Sequence, residues 1–163
     1  MRTIAVAGFT IVLGSFGLPP HTSDAQASLS AFQRSAIADS VAAIMDSVFA
    51  LSSRPDLDRM YSFFRPNTSV LRNGKTEDWK EHQAGTRAFY KTLRSVDMHP
   101  LGHEIDVLSP TAAIWRGQFS YTFTDGEGHV TSGVAASTWV LARDSSGWRI
   151  AHLHMSDPPT AVK

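Results

Sequence analysis

The 163-residue chain has no cysteine. That excludes disulfide stapling, thiol catalysis and the cysteine-linked lipid anchor of a lipoprotein. It has no excess of either charge sign, with 15 Lys+Arg against 15 Asp+Glu. A surface that tracks phosphates needs surplus Lys and Arg, so a nucleic-acid partner is not expected. It has no second long hydrophobic run, no internal repeat and no low-complexity stretch. It also lacks the G-x-S-x-G, Walker, Gly-rich dinucleotide and H-E-x-x-H patterns, so no cofactor is expected. An apolar content of 42% against 18% charged residues fits one compact domain with a real core.

The first 27 residues read as a signal peptide. Arg2 supplies the positive end, Ile4 to Leu18 is an apolar run, and Ala25-Gln26-Ala27 is an A-x-A cleavage pattern. Cleavage would leave a mature domain over residues 28–163, periplasmic or extracellular, with no membrane contact after cleavage. An uncleaved membrane anchor is the alternative, but the run is short against a span of about 20 residues. Removing the leader takes Arg2 and Asp24 together, so the charge balance is unchanged.

Ser30-Ala31-Phe32-Gln33 fits a capping box, and Ile37, Val41, Ile44 and Val48 step at helical spacing to about Leu51. Pro55 suits the first turn of a second helix carrying Leu57, Met60, Tyr61 and Phe64, which Pro66-Asn67 would end. Ser69-Val70-Leu71 reads as a short strand closed by Asn73-Gly74. Thr76 then reads as the cap of a third helix reaching about Val96, with Trp79, His82, Thr86, Phe89, Tyr90 and Leu93 on its inner face. The period next changes to two. Strands are expected over His103–Leu108, Ala112–Thr124 and Val130–Arg143, and from Gly147 onward. Three helices followed by a sheet make an α+β domain.

The last strand concentrates the polar chemistry. At strict alternation Trp148, Ile150, His152, His154 and Ser156 share one face, and Arg149, Ala151, Leu153 and Met155 the other. Imidazoles at i and i+2 would stand about 6.5–7 Å apart. They can contact a ligand, exchange a proton, or simply bond to neighbouring groups; a metal would need at least a third ligand, so none is expected. In the strand before, Ala113, Trp115, Gly117, Phe119, Tyr121 and Phe123 form an aromatic face that needs a dry partner, either helices or a second subunit. Arg116 lies on its other face, directed to solvent in the first case and into a pocket in the second. Asp106 is either a solvated carboxylate or a base tuned by burial.

The pattern W-x-x-x-H-x-H-x-S-x-x-P over Trp148–Pro159 resembles the end of the SnoaL-like and nuclear transport factor 2-like superfamily. It is closest to the last strand of the association domain of calcium/calmodulin-dependent kinases, and the order of elements agrees from Ser30 to Pro159. The resemblance implies a cone-shaped, cystatin-like α+β domain: three N-terminal helices on a curved antiparallel sheet, enclosing one pocket. The sheet's outer face commonly pairs subunits, which implies a homodimer. Members include isomerases, cyclases, dehydratases and non-enzymatic binders, so the fold does not fix the function. A pocket arginine of the association domains falls at Thr138 here, so carboxylate binding is not carried over. Ketosteroid isomerase-like members place an aspartate base just after the first strand, where this chain has Arg72. Scytalone dehydratase-like members use His and Asp with tyrosines, and no local motif places such a set here.

The first expectation is a pocket for a small, largely apolar molecule, with His152 and His154 at its polar end and Tyr90, Trp148, Arg116 and Asp106 as further candidate contacts. The rival is an acid–base isomerase, cyclase or lyase acting on a small carbonyl compound in the same pocket. The third is an oligomeric assembly module.

Overall fold

The computed structural model describes residues 29–157. The expected leader over residues 1–27 and the strand-stopping Pro158-Pro159 lie outside them. Helix α1 (Ala31–Ser53) starts at the expected capping box: Ser30 Oγ accepts from the Gln33 amide at 3.2 Å, and Gln33 Oε1 accepts from the Ser30 amide at 2.9 Å. Its apolar stripe buries Val41, Met45, Val48 and Phe49, with Ile37 and Ile44 packed alongside. Each such burial contributes about 1.5–3 kcal/mol of transfer free energy. Among the described helices, α1 is long and apolar enough to cross a membrane by length and composition. Its buried stripe is equally that of a core helix.

Helix α2 (Leu57–Tyr61) is shorter than expected, capped by Asp56, whose carboxylate accepts from the Arg59 amide at 3.2 Å. The chain then enters β1 (Phe64–Arg72), which runs through the Pro66-Asn67 expected to end the helix. Pro66 is tolerated because β1 pairs with β6 (Gly147–Ser156) at Phe64 and again only from Ser69. Residues between these points are free of the ladder, so the missing proline N–H is not needed. Asn73 and Gly74 have φ of 50° and 77°, the left-handed backbone of a tight hairpin turn. That turn leads to β2 (Lys75–Glu77), where Thr76 pairs with Leu71. Thr76 is therefore a strand residue rather than a cap. Asp78 caps α3 (Trp79–Lys91), its Oδ1 accepting from the Lys80 and Glu81 amides at 2.9 and 3.1 Å.

Helix α3 stops short of Val96 because pairing to β4 (Ala112–Asp125) wins: Leu93 lies opposite Asp125 and Val96 opposite Phe123. The resulting β3 (Leu93–Ser109) is much longer than the expected strand. With β5 (Val130–Asp144), the strands form one curved sheet in the order β2-β1-β6-β5-β4-β3. β1 and β6 run parallel, so the sheet is mixed rather than wholly antiparallel. The α+β class, with N-terminal helices on a curved sheet, is as expected.

The aromatic face of β4 lies beneath the helices. Phe49 of α1 meets the rings of Trp115, Phe119 and Trp139 at 5.7, 5.4 and 6.3 Å between centroids. This resolves the direction of Arg116, which points outward, away from that face. A bulge in β6 decides the rest. Val140 pairs with His152 but Leu141 pairs with Ile150, so Ala151 is an extra residue in the ladder. Side-chain alternation is reset there, and Trp148, Ile150, Leu153 and Met155 share the concave face. His152, His154 and Ser156 turn to the outer face, correcting the single face expected from strict alternation.

Candidate functional site

A cavity of about 1160 Å³ opens between the helices and the concave face of the sheet. Its deep walls are apolar and aromatic: Val48 and Phe49 of α1, Met60 and Tyr61 of α2, Phe64 of β1, Phe119 and Tyr121 of β4, Trp139 of β5 and Leu153 of β6. These positions face inward because alternation on each strand, and the reset at Ala151, put every second side chain on the concave side. Its mouth is polar, with Arg72, Lys75, Glu77, Glu81, His82, Asp125, His129 and Asp157.

Three basic side chains of the mouth lie against acids. Arg72 Nη2 lies 3.0 Å from Asp157 Oδ2, His82 Nδ1 lies 2.6 Å from Glu77 Oε2, and His129 Nδ1 lies 2.9 Å from Asp125 Oδ2. The His129 pair is exposed, and it holds the Asp125 carboxyl below its usual range, with the hydrogen bond from the His129 side chain as the largest cause. The His82 pair is different. Its imidazole is only 10% exposed and stacks on Trp79 at 5.7 Å with an interplanar angle of 13°. Trp79 in turn meets Tyr61 edge-on at 5.5 Å.

Two tyrosines add hydroxyls to the cavity. Burial pushes the Tyr61 phenol up, with the Thr86 hydroxyl and the Arg87 guanidinium acting the other way. Arg87 sits 5.3 Å from the centre of the Tyr61 ring, held by Asp58 at 2.6 Å. The Tyr61 hydroxyl is buried, with the Thr86 hydroxyl as its polar neighbour but no hydrogen bond of good geometry closed to it. Tyr90 is pushed up to about 12, chiefly by burial. Its hydroxyl has the thioether of Met98 at 3.8 Å, a weak acceptor.

Of the residues expected from the sequence, Tyr90 lines the cavity. Trp148 is buried in the core beside it. His152, His154, Arg116 and Asp106 lie on the outer face of the sheet. There Glu104, Arg116, Thr138 and His154 form one cross-strand row. Arg116 bonds Glu104 at 2.7 Å and approaches Asp106 at 3.3 Å, and all three side chains are largely exposed. His152 Nδ1 is 2.8 Å from Ser69 Oγ. His154 and Arg116 border a shallow groove of about 550 Å³, well apart from the aromatic walls. Among the described residues, no group of three or more His, Asp and Glu is placed to hold a metal ion. The pairing of His82 with Glu77 was not singled out from sequence. Glu77 belongs to a strand and His82 to the helix after it, so no single periodicity joins them.

The comparisons with known proteins agree with this architecture. A SnoaL-like domain model matches residues 41–161, and the chain belongs to that family. No curated protein matches it. Among solved structures, a nuclear transport factor 2-like superfamily protein of Salmonella enterica superposes with a TM-score of 0.68 at 19% identity, covering 78% of this chain and 94% of that one. A protein of Xanthomonas campestris, provisionally assigned as a calcium/calmodulin-dependent protein kinase II association domain, gives 0.64 at 19% identity over 75% and 88%. A hexachlorocyclohexane dehydrochlorinase of Novosphingobium barchaimii gives 0.67 at 13% identity over 82% and 97%. At these identities the likeness is one of fold.

Proposed function

We propose that this SnoaL-like domain binds one small, largely apolar molecule in the cavity between its helices and the concave face of its sheet. The observation that carries this reading is the aromatic lining. A volume of about 1160 Å³ is walled by Phe49, Phe64, Phe119, Tyr121 and Trp139, with a smaller set of polar groups among its lining residues. That combination of apolar walls and a few convergent polar groups is the usual form of a small-molecule site. The polar end is assigned to the His82 side of the mouth. His152 and His154, expected there from sequence, sit on the opposite face.

A second reading, acid–base turnover of a small carbonyl compound, is favoured by one feature. Glu77 fixes Nδ1 of a nearly buried His82 at the cavity wall, as a base in a proton-transfer site is commonly fixed. The same scaffold in Novosphingobium barchaimii carries a dehydrochlorinase. Export and homodimer formation belong to the proposal as well, supported by the leader pattern over residues 1–27 and by the broad outer face of the sheet.

Titration with the neutral fluorophore N-phenyl-1-naphthylamine tests the binding reading. Saturable one-to-one binding that weakens in Met155→Trp, which fills the cavity from β6, is the expected result. Non-saturating partition, unchanged by that substitution, would overturn it. Native mass spectrometry of protein exported by its own host reads leader cleavage, subunit number and any retained organic mass in one spectrum.

A further inference from the structure

Helix α3 forms one wall of the cavity through Glu81, His82, Gly85, Thr86, Phe89 and Tyr90. Gly85 sits at the middle of its 13 residues. Glycine is the poorest helix former after proline, so the helix itself does not favour it there. Neither reason that fixes a glycine elsewhere in this fold applies. Gly74 has a φ of 77°, and Gly117 has the backbone of β3 against it. The φ of Gly85 is not positive, and an added Cβ would meet nothing within 4 Å. The protein's own packing therefore does not require the missing side chain. What its absence changes is the shape of the cavity.

That change is a notch in the α3 wall. His82, Gly85 and Phe89 step at +3 and +4, so they form one column on the cavity side of the helix. The rings on either side of the gap are held by other contacts. His82 stacks on Trp79, and Phe89 lies edge-on to Phe123 at 5.3 Å. Phe123 in turn stacks on Tyr121 at 4.9 Å, so an aromatic surface runs from the notch onto β4. Phe89 lines the cavity yet is 44% exposed, which leaves apolar surface beside the notch uncovered.

Resting on the cavity reading above, we infer that Gly85 sets the width of the cavity, and that the ligand is a broad, fused-ring apolar molecule whose edge reaches the α3 backbone there. Glycine is the residue that allows such close approach of a ligand to a backbone. A ring edge in the notch covers Phe89 and removes apolar surface of both partners from water. A slim molecule leaves the notch empty and is indifferent to what stands at position 85.

Fluorescence titration of the full chain with pyrene and naphthalene, two neutral hydrocarbons of different breadth, tests this. Gly85→Ala should weaken pyrene about two- to fivefold and Gly85→Leu about tenfold or more, with naphthalene held within about twofold in both. Ala84→Leu places the same side chain one residue away, at an exposed position that does not line the cavity, and should change neither probe. Thermal unfolding of each variant shows that it has kept its fold, and Gly85→Ala should melt at or above the wild type. The inference is overturned, with the cavity reading left standing, by any of three results. These are pyrene affinity unchanged in folded Gly85→Ala and Gly85→Leu, equal losses for both probes or in Ala84→Leu, and a wild type that binds naphthalene but not pyrene. If the wild type binds neither probe, the cavity reading itself falls, and the inference with it.

Discussion

His82 Nδ1 lies 2.6 Å from Glu77 Oε2, joining the three-residue strand β2 to the second turn of α3. The imidazole is nearly buried while the carboxylate keeps a third of its surface in water. Removing the carboxylate therefore strands a buried donor, whereas an amide can still accept. Glu77→Ala should cost about 1–2 kcal/mol of stability and Glu77→Gln roughly half of that or less. Urea unfolding of both, combined in a double-mutant cycle with His82→Phe, should give a coupling of about 1 kcal/mol. A coupling near zero would mean that Glu77 acts only as an acid near the start of α3.

The bulge at Ala151 makes a second claim testable. Because it turns His152 and His154 to the outer face, His152→Ala with His154→Ala should leave affinity for a cavity probe unchanged. It should cost under about 1 kcal/mol, mostly the bond from His152 to Ser69. Deleting Ala151 would remove the bulge and leave Leu141 opposite Ile150 and Val140 opposite His152, so the imidazoles should stay on the outer face. That chain should fold and bind the cavity probe as the wild type does. Reduced probe affinity in the folded double-alanine variant would return the histidines to the cavity.

This bulge also marks where the sequence stops being readable. Alternation along β4 sorted Trp115, Phe119 and Tyr121 from Arg116 and Gln118 correctly, because β4 pairs with β5 without interruption. The capping box at Ser30 and Gln33 was legible because both its bonds are local. Ala151 bears no mark that it is extra; the shift exists only relative to Val140 and Leu141, eleven and ten positions earlier in the chain. The start of α3 was misplaced for a related reason. Thr76 and Asp78 both have the chemistry of a cap, and only pairing with Leu71 assigns Thr76 to a strand. At the end of α3, Leu93 and Val96 continue a helical stripe, but the ladder with β4 outweighs that local preference.

Acid stability should depend on the turn between β5 and β6. The Asp144 carboxyl is held below its usual range, first by the Ser146 hydroxyl, then by the Ser146 amide, with Arg65 and Arg149 contributing charge. A carboxyl depressed in the folded state contributes stability that is fully present above its unfolded pKa of about 3.9 and is lost as pH falls through the folded value. Asp144→Asn should therefore be less stable than the wild type near neutral pH. The difference should shrink as the pH drops below about 4, giving the variant a flatter acid limb in urea unfolding. A difference that is constant across that range would mean the aspartate acts through turn geometry alone.

Two glycines with opposite surroundings give the sharpest packing test. A Cβ at Gly117 would meet the carbonyl oxygen of Gly102, and would lie 2.9 Å from His103 Cβ and 3.0 Å from His103 Cα. These are largely backbone atoms of β3, beside the irregularity between Pro100 and Gly102, so no flexible side chain can yield. Gly117→Ala should cost about 1–3 kcal/mol through displacement of β3. Gly85 sits inside α3 at the cavity wall, where an added Cβ has nothing within 4 Å. There the methyl group only restricts the unfolded chain and favours the helix, so Gly85→Ala should gain about 0.5–1 kcal/mol. Thermal and urea unfolding of the two variants should thus move in opposite directions. If Gly117→Ala were neutral, β3 would be free to move away from β4 at that point. The close contact at Gly117 would then not be what holds the long strand in its curve over the helices.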